Sequence, residues 1–206
     1  MSDLATLDIW DRHLATTGAE LLAARIEVVN KLRPYVCAAY AQVAPSSAPL
    51  GLAYQSSLGA ALPDLADPAP VPLLEAVMLA ELARVRPQEL DRGVNLIGPH
   101  RDDLELQLGE LPVRGYASHG ESWSAALALR LGSYELLRGD HPAGGSPVLI
   151  LDDVFAELDG ERRDHLAAVA DKAEQALITA AVPGDVPERL LGSRYDVHCG
   201  EVHRVR

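Results

Sequence analysis

A run of four aliphatic residues followed by two aspartates most restricts how this chain can fold. Residues 148–151 are Val-Leu-Ile-Leu, and Asp152 and Asp153 come directly after them. An uninterrupted apolar run of this length is typical of a strand that is buried in a parallel sheet. Polar residues at the carboxyl end of such a strand lie where α/β folds bind their ligands. The pattern therefore predicts an α/β domain with a site at these two aspartates.

The two carboxylates are suited to ATP chemistry. One can hold Mg²⁺ through water, and its neighbour can orient or deprotonate an attacking water. This is the arrangement of a Walker B motif, and Glu157-Leu158-Asp159 then matches the D-loop of ABC-type ATPases. Without that tripeptide, a buried strand that meets a helix cap would explain the pattern equally well.

A second motif precedes a predicted helix. Ser118 and Glu121 have the S-x-x-E spacing of a capping box, with Gly120 between them. A helix start with a hydroxyl and free backbone N–H groups can also bind an anion. The order and approximate distance to Asp152 are those of an ABC signature loop. The sequence Ala-Ser-His-Gly-Glu departs from the ABC form Leu-Ser-Gly-Gly-Gln at His119, which replaces the first glycine.

The third motif is Gly98–Asp103, with the sequence Gly-Pro-His-Arg-Asp-Asp. Its residues His100, Arg101 and Asp102 are candidates for a structural or functional turn. A metal site at His100, Asp102 and Asp103 is the alternative, but the spacing is too tight for these side chains to converge without a special loop. We therefore expect a turn held by an Arg–Asp ion pair.

Taken in this order, the three motifs resemble the RecF family. Gly98–Asp103, Tyr116–Glu121 and Leu149–Asp159 carry the resemblance, and the first helix, with Trp10 and Asp11 near its start, is also similar. The resemblance covers essentially the whole chain. It implies an α/β fold: the carboxyl-terminal part of an ABC-type ATPase head, with a P-loop NTPase-like sheet, plus a helical arm.

The resemblance also implies roles for individual residues. Asp152 would be the Mg²⁺-coordinating Walker B acid, and Asp153 would take the position of the catalytic base. Glu157 and Asp159 would lie in the D-loop at a dimer interface. Thr179-Ala180-Ala181 falls where ABC proteins place their switch residue, usually histidine, and because no histidine is there no role is carried over. The signature residues would contact the γ-phosphate of an ATP molecule that a second subunit holds. These residues are Ser118, Gly120 and Glu121.

The cofactors and partners that the resemblance implies are ATP, Mg²⁺ and DNA, with preference for single-strand/double-strand junctions. RecF proteins form ATP-dependent homodimers and act with RecO and RecR to load RecA at gaps. The complete protein is then expected to be a weak, DNA-stimulated ATPase of the cytoplasm. The absence of an apolar run near the ~20 residues of a membrane span and of a CxxC pair agrees with that location.

The chain contains no P-loop. That motif needs a glycine-rich turn and a lysine followed by Ser or Thr, and neither Lys31 nor Lys172, the only lysines, meets this pattern. In the RecF family the P-loop lies in the amino-terminal lobe. We therefore expect this chain to be a fragment that hydrolyses no ATP alone. Its formal charge of −12 also implies that a basic DNA-binding surface belongs largely to the other half.

Apolar spacing predicts a helical arm with a proline-rich connector at residues 1–92 and an α/β lobe half at residues 93–206. The first helix should run from Leu4 to Arg33, be kinked or ended by Pro34, and resume to Val43. Its apolar stripe has a seven-residue interval, at Leu7, Leu14, Leu21, Val28 and Tyr35, and is flanked by Trp10, Leu22, Val29, Leu32 and Val36. We expect the stripe to pack within the chain rather than in a coiled-coil dimer, against Leu74, Val77, Met78, Leu82 and Val85.

The remaining predicted elements follow from alternation and from turn residues. Strands are expected near residues 50–54, at residues 94–97 and at 176–179, and hairpins at 104–113 and around Cys199-Gly200. Helices are expected at 121–138 and 161–172.

Two other functions remain open at this stage. One is a nucleotide-independent protein-interaction module that binds RecR-like partners. The other is a metal-dependent phosphoesterase built on Asp102, Asp103, Asp152 and Asp153.

Overall fold

The computed structural model describes residues 2–62, 70–139 and 145–205, with only the backbone of residues 2–5. Part of the predicted proline-rich connector, including Pro63 and Pro68, lies outside the described residues. Two compact units are formed. The first contains Met1–Ala41 and Ser46–Ser133, and the second contains Gln42–Pro45 and Tyr134–Arg206. This division differs from the predicted change of domain near residue 92, which falls inside the first unit.

The first unit combines long helices with a small antiparallel sheet. The sheet has the order β1-β2-β3, and Leu50 pairs with Leu108 at one end of β1 and Gln55 with Asp103 at the other. Its helices are α1 (Ser2–Val43), α2 (Val71–Arg92), the short α3 (Val113–Tyr116) and α4 (His119–Gly139). The last residues of α1 and of α4 belong to the second unit. Its strands are β1 (Leu50–Gln55), β2 (Asp103–Leu108) and β3 (Leu111–Pro112).

The core of the first unit lies between α1 and α2. Leu22 and Ile26 of α1 are buried in one cluster with Leu74, Met78 and Leu82 of α2. This confirms that the apolar face of α1 packs within the chain. No described helix is long and apolar enough to cross a membrane.

The apolar stripe on α1 is centred one residue later than predicted, on the predicted flanking residues Leu22, Val29 and Val36. Leu21 and Val28 are 45% and 51% exposed. The buried positions come one residue later, at the same seven-residue interval: Ala15, Leu22, Val29, Val36 and Val43. The small Ala15 and Ala19, which the predicted stripe did not include, are also fully buried in the cluster with α2.

Pro34 does not end α1, because the helix continues through it to Val43. A proline inside a helix removes one hydrogen bond and crowds the preceding turn. Burial of Val29 before Pro34 and of Val36 after it holds both sections of the helix in place against that cost.

The strand predicted at residues 94–97 is also wrong. Gly93 ends α2 with φ 67°, in the left-handed region. The N–H of Leu96 then donates to a carboxylate oxygen of Glu89 at 2.6 Å, and Ile97 is buried in the α1–α2 core. This short apolar run fills the core instead of pairing with another strand.

The second unit contains a parallel pair of strands and a terminal hairpin, as predicted. Leu149 of β4 pairs with Ala176 of β5, and Asp152 pairs with Thr179. Tyr195 and Arg204 pair at the open end of the hairpin. The elements are β4 (Leu149–Asp152), α5 (Gly160–Ala170), β5 (Ala176–Thr179), β6 (Tyr195–His198) and β7 (Glu201–Arg204).

Burial alternates along β4, so the predicted burial on both faces is not found. Leu149 and Leu151 are buried, whereas Ile150 is 64% exposed and its neighbour in β5, Leu177, is 50% exposed. One face of the parallel pair therefore presents aliphatic side chains to solvent.

A close helix crossing occurs at Gly132 of α4. A Cβ at this position would lie 2.6 Å from Cγ2 of Val36 and 2.8 Å from its backbone nitrogen. Only glycine allows the backbones of α1 and α4 to approach this closely.

The substitution Gly132→Ala is therefore expected to destabilise the protein by about 1–3 kcal/mol, because the backbone of α1 must move to accommodate the methyl group. The midpoint of urea unfolding measures the loss. Gly160→Ala is the matched control, since a Cβ there meets nothing within 4 Å, and its effect should stay below about 1 kcal/mol. Equal effects of the two substitutions would show that the crossing is loosely packed.

Candidate functional site

The two aspartates predicted to carry chemistry lie together at the carboxyl end of β4. Asp152 is the last residue of the strand, and Asp153 follows with φ 55° and ψ 20°. Both are exposed. Among the described residues, Asp153 and Cys199 are the non-glycine residues with positive φ. Such a conformation is uncommon, and aspartate and asparagine adopt it more readily than other side chains.

A residue of the neighbouring strand holds both aspartates. Oγ1 of Thr179 donates a short hydrogen bond to Oδ1 of Asp152. The N–H of Asp153 donates to the same Oγ1 at 3.1 Å and to the carbonyl oxygen of Thr179 at 3.2 Å. The pairing of β4 with β5 thus creates a three-residue polar cluster at the edge of the sheet.

The predicted D-loop follows as one turn of 3-10 helix, Val154–Glu157, and leads into α5. Phe155 and Leu158 are buried and anchor this segment, while Glu157 and Asp159 are exposed. The Asp159 carboxylate caps α5 by accepting the N–H of Arg162 at 3.0 Å. Both predicted D-loop acids therefore lie on an anchored turn with their charges in solvent.

The predicted signature forms a complete capping box. The carboxylate of Glu121 accepts the N–H of Ser118 at 2.8 Å and its hydroxyl at 2.7 Å. The N–H of Glu121 in turn donates to Oγ of Ser118 at 3.3 Å. One turn later, the buried hydroxyl of Ser124 donates to the carbonyl oxygen of Gly120 at 2.9 Å. Glu121 therefore satisfies groups that a bound anion would otherwise contact.

The signature residues lie in the first unit and the aspartates of β4 in the second. Each set is well ordered by its own local hydrogen bonds.

The Gly98–Asp103 motif is joined to β1 and α1. The Asp102 carboxylate accepts the N–H of Ser57 at 2.6 Å and the hydroxyl of Tyr54 at 2.7 Å. The guanidinium of Arg25 donates to the carbonyl oxygen of Pro99 at 2.6 Å. The motif therefore fixes a loop onto the first unit.

The expected Arg–Asp ion pair is wrong. The N–H of Arg101 closes a turn to the carbonyl oxygen of Gly98 at 2.9 Å, and its side chain donates to the carbonyl oxygen of Asn95 at 2.7 Å. Asp102 bonds to β1 and the residues after it instead. Local sequence spacing favoured Arg101 as the partner, whereas the actual donors come from 45 and 48 residues earlier in the chain.

An open groove of about 570 Å³ lies beside this motif in the first unit. Its lining is mixed, with aliphatic Val28 and Leu104 beside His100 and Asp103. The groove therefore combines apolar and charged surface.

No group of three or more His, Cys, Asp or Glu side chains among the described residues is arranged to hold a metal ion. Neither the metal interpretation of the Gly98–Asp103 motif nor the four-aspartate phosphoesterase has such a cluster. A single Walker B carboxylate that holds Mg²⁺ through water needs no such cluster.

Solved structures with the same fold are known. The chain aligns over its full length with 52% of a structure of the recombination mediator protein RecF-ATPrS in the RecFOR pathway, with a TM-score of 0.76 and 25% identity. It aligns with 51% of a RecF-ATP structure, with a TM-score of 0.75 and 24% identity. The fold is that of the carboxyl-terminal part of an ABC-type ATPase head.

Sequence relatives agree with this class. The chain is 55%, 54% and 56% identical to the DNA replication and repair protein RecF of Beutenbergia cavernae, Rhodococcus erythropolis and Frankia alni. The matches cover 96–98% of this chain and the carboxyl-terminal portion of the relatives. The chain is therefore similar to the carboxyl-terminal portion of RecF proteins, and it spans about half the length of the curated relatives it matches. No family model matches it.

Sequence reasoning missed the part played by Thr179. A polar residue ends the predicted strand 176–179, just as acids end the run at 148–151. Two strand ends with polar residues would have pointed to a contact, had the register between these strands been considered.

Tyr54 provides a test of the Asp102 hydrogen bonds. Burial and then the hydrogen bond to Asp102 raise the pKa of Tyr54 from 10.0 to about 12. We expect Asp102→Asn to lower this pKa towards 10, though not fully, because the burial remains. An ultraviolet difference titration against Tyr54→Phe isolates this tyrosine. The exposed Asp103→Asn serves as the control, and an unchanged pKa in Asp102→Asn would contradict the hydrogen bond.

The raised pKa of Tyr54 also predicts how the stability of the protein depends on pH. The folded protein favours the neutral phenol, so the contribution of Tyr54 is complete below pH 10.0 and is lost as pH rises through about 12. Over this range the free energy of unfolding should fall less steeply in Tyr54→Phe than in the unsubstituted protein.

Proposed function

We propose that this chain provides the signature and Walker B part of an ATP-dependent DNA-binding protein of the RecF type that acts in recombinational repair. The observation that carries the proposal is the pair Asp152 and Asp153 at the carboxyl end of a parallel strand, with both carboxylates exposed. Ligands of α/β folds bind at this edge.

The donor set fits a magnesium site of the Walker B kind. One oxygen of Asp152 accepts from Thr179, which leaves the second oxygen to accept from water bound to Mg²⁺. Asp153 would then act as the general base for the water that attacks ATP. Mg²⁺ itself supplies neutralisation of the phosphate charge.

The other site residues are assigned to a dimer interface. Ser118, Gly120 and Glu121 would face the γ-phosphate of ATP held by a second copy, and Glu157 and Asp159 would line the same interface. The glutamate takes the position of the glutamine in the usual ABC signature. Its carboxylate would have to separate from Ser118, or be neutralised, before a phosphate binds there.

The exposed aliphatic face of β4 and β5 supports a second part of the proposal. Ile150 and Leu177 form an apolar surface, and burying it against another layer is favourable. The relatives are about twice as long as this chain. Their amino-terminal portion would cover this face, extend the sheet and supply the P-loop that the two lysines cannot provide.

Partners follow from the same assignment. The formal charge of −12 disfavours DNA binding by this chain alone, so the DNA contacts would belong mainly to the amino-terminal portion. RecO and RecR are proposed as protein partners, since the aligned solved structures belong to the RecFOR pathway. The assembly would act in the cytoplasm.

A chimera tests the proposal. The amino-terminal portion of Beutenbergia cavernae RecF is joined to this chain, which is 55% identical to the part it replaces. The chimera is expected to bind and hydrolyse ATP, whereas this chain alone is expected to do neither. Asp153→Asn should lower the hydrolysis rate by roughly 10²–10⁴-fold, the usual contribution of a general base, while ATP still binds.

The matched control is Asp171→Asn, an exposed acid at the end of α5 that should leave the rate unchanged. A folded chimera that neither binds nor hydrolyses ATP would contradict the proposal. That outcome would instead favour the protein-interaction module, for which the groove beside the Gly98–Asp103 motif offers a mixed apolar and charged surface.

A further inference from the structure

We infer that Thr179 is a positioning residue for the acidic pair at the end of β4, and that its hydroxyl is the group required. This inference rests on the proposed function, because it concerns the same Mg²⁺ and ATP site. Thr179 begins the stretch at which ABC proteins are expected to place a switch residue, and in this chain it contacts the acids themselves.

The geometry forms a directed chain of hydrogen bonds. The N–H of Asp153 donates to Oγ1 of Thr179, and the hydroxyl hydrogen of Thr179 donates to Oδ1 of Asp152. A hydroxyl group can donate one hydrogen bond while accepting others. One hydroxyl therefore links the backbone of one acid to the side chain of the other.

The bond to Asp152 restricts its carboxylate. An exposed aspartate otherwise rotates freely about χ1 and χ2. The conformational entropy of such a side chain is lost when it binds a metal. With Oδ1 held by Thr179, the second oxygen keeps a defined direction. Hydrogen-bonding partners of metal-binding carboxylates have this orienting effect in many metal sites.

The bonds to Asp153 stabilise an unfavourable backbone. A left-handed conformation is unfavourable outside glycine and persists only where the surroundings hold it. The N–H of Asp153 is shared between the hydroxyl and the carbonyl oxygen of Thr179 at 3.1 and 3.2 Å. Thr179 thereby determines where the side chain of the proposed base begins.

Threonine also suits the position as a strand residue. Its branched Cβ restricts χ1, and Thr179 pairs with Asp152 in the parallel register. Valine has nearly the same shape but no hydroxyl, whereas serine keeps the hydroxyl with a less restricted χ1. The two substitutions separate the hydrogen bonds from the shape.

The chimera described above carries the test. Thr179→Val is expected to weaken Mn²⁺ binding in the presence of ATP by about 10–100-fold, measured by electron paramagnetic resonance. The Mg²⁺ concentration for half-maximal hydrolysis should rise by a similar factor. Thr179→Ser should keep the Mn²⁺ affinity and the Mg²⁺ concentration for half-maximal hydrolysis close to those of the unsubstituted chimera. Unchanged Mn²⁺ binding in Thr179→Val, or equal losses in the two variants, would overturn the inference.

Asp152→Asn distinguishes a failure of this inference from a failure of the proposed function. It should remove Mn²⁺ binding at this site in the chimera. If Asp152→Asn has the expected effect and Thr179→Val has none, the proposed function stands and Thr179 is not a positioning residue. If Asp152→Asn leaves Mn²⁺ binding unchanged, the assignment of the site itself is wrong, and the role of Thr179 is wrong with it.

Discussion

The close packing of α1 against α2 and α4 is the constraint on which the first unit depends. Small residues make it possible: Ala15 and Ala19 are fully buried, and at Gly132 the backbone of α4 leaves no room for a Cβ beside Val36. Dense interiors have little freedom to adjust, so the direction of α4 follows from this crossing. The capping box at Ser118 and Glu121 begins the same helix, and its position is therefore fixed by packing more than a helix turn away.

The acids of the candidate site share one physical design. Each is held by a neighbouring hydrogen-bond donor: the exposed Asp152 by Thr179, the exposed Asp159 by the N–H of Arg162, and the half-buried Glu121 by Ser118. Exposed charges interact weakly because water screens them. Electrostatic catalysis requires a site from which water is excluded. The geometry is thus prepared within this chain, whereas in the proposed assembly its energetic effect would depend on surfaces that cover the site and exclude water.

Local features were predictable from sequence, and features that depend on distant pairing were not. The capping box, the terminal hairpin and the strand that ends at Asp152 follow from patterns within a few residues. The centre of the apolar stripe on α1 was placed one residue early, because small buried alanines carry little weight in an apolar pattern. The partners of Asp102 were missed because they come from β1, and the contact of Thr179 with Asp152 depends on the register of two strands separated by α5. Short apolar runs such as residues 94–97 are ambiguous by periodicity alone.

The backbone at Asp153 restricts which acid can stand at the end of β4. Its φ of 55° lies in a region that aspartate and asparagine visit through local hydrogen bonding and that longer side chains visit less readily. Many ABC proteins place glutamate at this point, and its extra methylene would extend the carboxylate further from the strand. In this chain the turn favours the shorter acid, so the reach of the Asp153 carboxylate from the sheet is set by a backbone angle as well as by the choice of side chain.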